Sequence, residues 1–149
     1  MAKPDELFHG GHYKIGAVTR TGMFEGLFTS PSERVARSHG PVITKFEISP
    51  DRVATSRDLR ARQKAARAAV RAEPRYRHLR PRAMSELLEE VLSDGSSSHA
   101  VSYEGNGEAY ESWECQRLRG VVARALGFQA VACEDEHGTT YLLLWGGGS

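Results

Sequence analysis

The sequence predicts an α+β fold, and three observations carry that prediction. Apolar, β-rich runs of strand length occupy both ends of the chain: Leu7–Tyr13, Gly22–Phe28 and Val42–Ile48 early, Phe128–Cys133 and Tyr141–Trp145 late. The middle is Ala-, Arg- and Leu-rich with helical spacing. No regular strand–helix alternation of βαβ units links the two, and no Gly-x-Gly-x-x-Gly precedes a helix.

The 149 residues suit one domain, residues 1–145, with 146–149 (Gly-Gly-Gly-Ser) as a flexible tail. With 40% hydrophobic and 26% charged residues, the composition is that of a globular protein and not of a disordered chain. No apolar run approaches the ~20 residues that span a bilayer. No apolar signal core follows Met1-Ala2-Lys3-Pro4. The expectation is a cytoplasmic protein without a membrane partner. Cys115 and Cys133 form no Cys-x-x-Cys pair and read as reduced thiols.

The first strand ends in glycines, at Gly10-Gly11, which let the backbone bend or a ligand approach. His9 and His12 have His-x-x-His spacing, but no third ligand follows in register, which argues against a metal. After Gly26-Leu27-Phe28, the run Thr29-Ser30-Pro31-Ser32-Glu33 starts a short helix. Ser30 is placed to cap, Pro31 suits the first helical position, and Glu33 completes a capping box. The helix runs from Pro31 to His39, and Gly40 stops it. Val42–Ile48 alternates as a half-buried strand, and Ser49-Pro50-Asp51 turns the chain.

Residues 57–82 are strongly basic, holding ten of the 20 Lys and Arg against only Asp58 and Glu73. Arg57–Ala72 predicts a helix. Pro74 and Pro81 interrupt the chain beyond it. Met84, Leu87, Leu88, Val91 and Leu92 mark an amphipathic helix over Ala83–Ser93. Asp94–Ser98 is a flexible loop, and the stretch to Glu108 stays polar. Tyr110–Leu126 is the last helix, with Trp113, Leu118, Val121, Val122, Ala125 and Leu126 as its apolar stripe and Gly127 as its end.

Between the two late strands stand Glu134-Asp135-Glu136, with His137-Gly138 closing the turn. Three adjacent carboxylates repel one another; at an effective dielectric of ~20 a like-charge pair ~4 Å apart costs about 4 kcal/mol before solvent screening. A solvated acidic hairpin is the plain reading of residue types alone.

Three pieces together point further: Phe8-His9-Gly10, Gly26-Leu27-Phe28-Thr29-Ser30 with its helix, and Glu134-Asp135-Glu136. Their arrangement resembles the ADP-ribosyltransferase superfamily. More narrowly, Trp113–Gly120, Glu134–Thr140, Leu7–Gly10, Gly26–Phe28 and Ser38-His39-Gly40 look like the phage anti-CRISPR ADP-ribosyltransferases that act on type I-F surveillance complexes. The resemblance covers residues 5–48 and 110–145 and leaves the basic middle unsupported. It implies a split β-sheet core with an NAD-binding cleft and a helical middle section. It implies NAD+ as co-substrate and a protein target, the complex's subunit that reads the protospacer-adjacent motif, modified at an asparagine.

The chemistry accounts for the residue types. Loss of nicotinamide from NAD+ places positive charge on the ribose, and a carboxylate beside it stabilises that charge. A partly screened interaction of ~4 kcal/mol corresponds to about three decades in rate. The resemblance assigns this role to Asp135, with Glu134 and Glu136 in reserve; strand alternation sets those two on the opposite face. It assigns cofactor binding to Phe8, His9, Gly10, Leu27, Phe28, Thr29, Ser30, His39 and Arg119. In that set Gly10 offers backbone groups to the carboxamide, His9 a ring nitrogen to the adenosine-side ribose, Phe28 a stacking face, and Thr29 and Ser30 hydroxyls to phosphate. Arg117 and Arg119 differ by ~200° around their helix, so only one faces the pocket.

The basic run keeps two other functions open. One is a transferase that modifies nucleic acid; the other is a non-enzymatic nucleic-acid-binding module. Docking of 57–82 on an acidic protein surface is compatible with the first reading.

Overall fold

The computed structural model describes residues 3–16, 26–93, 108–135 and 138–144, the side chains at 108–113 and 135 excepted. The fold is α+β. A two-stranded antiparallel sheet joins β1 (Glu6–Gly11) to β3 (Val42–Glu47). A four-stranded sheet has the order β2 (Gly26–Thr29), β6 (Gly138–Leu144), β5 (Ala130–Asp135), β4 (Val53–Ala54). Its β2–β6 and β6–β5 pairs are antiparallel and β5–β4 is parallel. One antiparallel bridge ties the sheets together: Phe8 N–H donates to Ser30 O at 2.7 Å and Ser30 N–H to Phe8 O at 2.8 Å.

Among the described residues five α-helices complete the fold: α1 (Glu33–Arg37), α2 (Ser56–Arg60), α3 (Gln63–Arg71), α4 (Pro81–Ser93) and α5 (Glu108–Ala125). Helices α2 to α5 cover one face of the four-stranded sheet over the larger core, where Met84, Leu87, Leu88, Val91 and Leu92 of α4 are all buried. The smaller core lies where the two sheets meet, built from Leu7, Phe46, Ile48, Val53, Ala130, Tyr141 and Leu143. No helix among the described residues is long and apolar enough to cross a membrane.

Several predicted boundaries shift for local reasons. The first strand stops at Gly11, and Tyr13 is exposed. The first helix begins at Glu33, because Ser32 and not Ser30 is its cap, its Oγ accepting from Val35 N–H at 3.3 Å. The predicted helix Arg57–Ala72 is two helices, α2 and α3, broken at Ala61-Arg62 where Arg62 leaves the helical region at φ −130°, ψ 50°. Strand β4 is too short to have been predicted from alternation. In α5 the inner face carries Leu118, Val122 and Ala123, while Ala125 is exposed. The predictions for residues 22–25, 94–107, 136–137 and 145–149, and for the Trp113 side chain, lie outside the described residues.

Glycines let α1 lie directly on β1. A Cβ at Gly10 would stand 1.7 Å from Ala36 O, and one at Gly40 within 2.6 Å of three Gly11 backbone atoms. A polar network then fixes the segment after α3 against α5. Arg117 Nε donates to Glu114 Oε1 at 2.7 Å and its Nη1 to Glu73 Oε1 at 2.7 Å, while the Tyr76 hydroxyl donates to Glu114 Oε2. Arg75 pairs with the same carboxylate at 3.5 Å. Burial pushes the Glu114 carboxyl up, but Arg117, Tyr76 and Arg75 outweigh it and hold it below its ordinary value.

Gly40→Ala should lose about 2 to 3 kcal/mol of stability, read as a lowered thermal midpoint. A carboxylate held low contributes its stabilisation above its unfolded pKa of about 4.3 and loses it as pH falls through the folded value. Glu114→Gln should therefore cost more at neutral pH than in acid, a difference measurable by denaturant unfolding across a pH series.

Candidate active site

Alternation along the strands decides which side chains share a face. Ala130 and Ala132 of β5 belong to the smaller core, Val131 and Cys133 to the larger. Glu134 therefore continues the inter-sheet face. Leu7 sets the same face on β1, which places His9 and Gly11 there; Leu27 and Thr29 of β2 and Thr139, Tyr141 and Leu143 of β6 follow suit. His9 and Glu134 thus lie on one continuous face, on strands that are successive neighbours through β2 and β6.

At the β1 end, His9 Nδ1 lies 3.1 Å from the Phe28 carbonyl. A carbonyl only accepts, so the proton sits on Nδ1, and in the neutral ring Nε2 presents a lone pair. Phe8 turns its N–H and C=O to Ser30. The period of two directs the corresponding groups of Gly10 to the same side, past the bridge. Among the described residues no backbone bond joins Gly10 to β2. The absence of a Cβ at Gly10 serves the packing of α1, a different reason from the ligand approach expected of it.

At the β5 end, Glu134 is exposed and its Oε1 accepts from Thr139 Oγ1 at 2.7 Å. It borders a cleft of about 880 Å³ with Lys3, Thr55, Arg57, Asp58, Arg119 and Tyr141 among its walls. Asp58 accepts from Lys3 Nζ at 2.9 Å and from Thr55 N–H at 2.9 Å, which closes one wall. Burial, and then the Glu134 charge, raise the Tyr141 phenol above its ordinary value. Asp135 is the last residue of β5, opposite Gly138. Glu136 lies outside the described residues.

The chain matches the family described as Anti-CRISPR Type I-F ADP-ribosyltransferase AcrIF11 over residues 5–147. It belongs to that family. A solved structure described as "Crystal structure of an anti-CRISPR protein" is 31% identical, covers 95% of this chain and 90% of its own, and superposes with a TM-score of 0.71. No curated protein matches.

As a member of the anti-CRISPR type I-F ADP-ribosyltransferase family, the chain is a transferase, and its predicted site residues fall into two groups. Phe8, His9, Gly10, Phe28, Thr29 and Ser30 gather at the bridge between the sheets, while Glu134 and Arg119 border the cleft near α2. His39 is exposed just past α1. Three expectations change, at Phe28, Thr29 and Arg119. Phe28 packs against the larger core, on the face opposite His9, so its ring belongs to folding. Leu27 is partly buried against the smaller core, on the face that carries His9. The Thr29 hydroxyl donates to Tyr141 O at 2.7 Å, fixing β2 to β6; the Ser30 Oγ accepts from Ser32 N–H at 3.0 Å, which leaves its own O–H to donate. Arg119 is 1% exposed and donates to Ala132 O at 3.1 and 2.6 Å and to Val91 O at 2.7 Å, so it positions β5 and does not reach for phosphate.

Lys3, Arg57 and Tyr141 were not singled out by sequence reasoning as cleft residues, because nothing local marks them. Thr55 and Asp58 carried a signal: Thr-x-x-Asp is a helix-start pattern. Arg119→Met should cost about 3 kcal/mol or more, since it orphans buried carbonyls on both α4 and β5. Calorimetry checks it, and retention of wild-type stability would show that the guanidinium does not hold the strand.

Proposed function

We propose that this chain transfers ADP-ribose from NAD+ to an asparagine of the subunit that reads the protospacer-adjacent motif in a type I-F CRISPR surveillance complex, in the cytoplasm, and so disables the complex. The observation that supports the reading is the family match over residues 5–147, with Glu134 and Asp135 of the acidic motif closing β5.

The residues available fit NAD+. Gly10 offers an N–H donor and a C=O acceptor side by side, the complement of a carboxamide. His9 Nε2 accepts from a ribose hydroxyl, its tautomer fixed by Phe28 O. NAD+ supplies a ribose whose bond to nicotinamide breaks with positive charge on the sugar. Asp135, which the family motif marks, stabilises that charge and receives the proton of the attacking amide. Glu134, steadied by Thr139, stands on the other face of β5 and is the reserve for that role. Arg119 holds β5 so that the acids keep their distance from the sugar.

Asp135→Asn should lower nicotinamide release and label transfer from NAD+ by about three decades, the loss expected for about 4 kcal/mol, with NAD+ affinity retained. Glu134→Gln, on the face of β5 opposite Asp135, should keep turnover within about tenfold of wild type, short of the roughly 10²–10⁴-fold loss of a proton-transfer group. Near-wild-type turnover of Asp135→Asn beside a dead Glu134→Gln or Glu136→Gln would reassign the carboxylate. Release of nicotinamide without label on any protein of the complex would remove the target.

A further inference from the structure

The basic run is a segment that the catalytic reading leaves unused, and the structure sorts its cations. Arg60 pairs with Glu89 at 2.7 Å, Arg82 with Glu86 at 3.4 Å, and Arg75 with Glu114 at 3.5 Å. These serve the fold. Lys64, Arg71, Arg77 and Arg80 make no hydrogen bond or ion pair with the described residues, and Arg67 meets only the neutral Ser85 hydroxyl. On α3, Lys64, Arg67 and Arg71 lie at i, i+3 and i+7, one stripe about 10 Å long. Ala66 and Val70 are buried on the other side of the helix. Arg77 and Arg80 extend the charge into the exposed turns beyond α3.

Unpaired cations held in a row on a packed helix create a field that needs a repeating anion as its complement. Protein partners want more than charge: interface centres are depleted of charged residues and enriched in aromatic ones. This stripe has no such anchor. Among the described residues Tyr13 is the exposed large hydrophobic, and it lies just past β1, not on α3. Interfaces with nucleic acid are polar and strongly positive.

We propose that the stripe Lys64, Arg67 and Arg71, continued by Arg77 and Arg80, is a docking surface for the phosphodiester backbone of a nucleic acid. CRISPR-type effector complexes carry a guide RNA and meet duplex DNA, so either backbone is within reach of an enzyme acting on one. The surface contributes affinity without sequence preference and delivers the cleft to its protein target.

The test is fluorescence anisotropy on the full chain without NAD+, which separates it from the catalytic reading. The probes are a labelled DNA duplex of about twenty base pairs, a single-stranded RNA of equal length, and poly-glutamate as the acidic polypeptide. Binding to either nucleic acid at about 50 mM salt is expected, weakening about 100-fold at about 200 mM for a duplex contacted through about four phosphates. The variant K64E/R71E/R77E should bind at least about tenfold more weakly and with a flatter salt slope, while its nicotinamide release stays at the wild-type level as proof of folding. The better-bound nucleic acid identifies the backbone. Absence of binding to both, wild-type binding by the variant, or tighter capture of poly-glutamate than of both nucleic acids would each overturn the proposal, the last in favour of an acidic protein surface. If the triple variant does not fold, R77E alone, outside any helix, must still flatten the slope by about one phosphate.

Discussion

The buried guanidinium of Arg119 is the constraint on which the acidic end of β5 depends. It is 1% exposed, and it gathers Val91 O and Leu92 O from the end of α4 and Ala132 O from β5. Removing an ion from water costs several kcal/mol, and the cost is offset only when good acceptors surround it. The last carbonyls of a helix are such acceptors, because no intrahelical donor reaches them and the helix dipole makes that end negative. One side chain thus closes α4 and fixes β5 two residues before Glu134. Glu134 and Asp135 stand on a strand whose position is set from behind.

A second polar cluster divides the labour among the arginines. Arg117, Glu114, Glu73 and Tyr76 interlock beneath the turns after α3, and the Arg117 guanidinium is raised by Glu114 and Glu73 against its burial. Holding these turns in place leaves α3 with its apolar edge, Ala66 and Val70, facing inward and its cations facing out. The basic run is therefore two populations. Some of its charges are internal fasteners; the others are a surface.

Much of this was legible in the sequence because the signals are local. The period of Met84, Leu87, Leu88, Val91 and Leu92 gave α4, and alternation with turn residues gave the late hairpin. The glycine pairs were visible, though not their purpose: Gly10 and Gly40 serve the approach of α1 to β1. Phe28 looked like a ligand-stacking ring because it neighbours candidate binding residues in sequence. On a strand, adjacent residues face opposite ways, and the larger core lies on its side. Thr29 and Ser30 looked free to donate, but the Thr29 hydroxyl meets a carbonyl 112 residues away, which no local pattern records.

By itself the sequence determined the element types and the two motif-bearing ends, since propensity, periodicity and turn residues act over a few positions. Tertiary structure alone decided which face each strand turns to the junction of the sheets, which residues border the cleft beside Glu134, and which arginines are neutralised. Those outcomes depend on ladders and ion pairs between residues far apart in the chain, and such contacts exist only once the sheets have closed on each other.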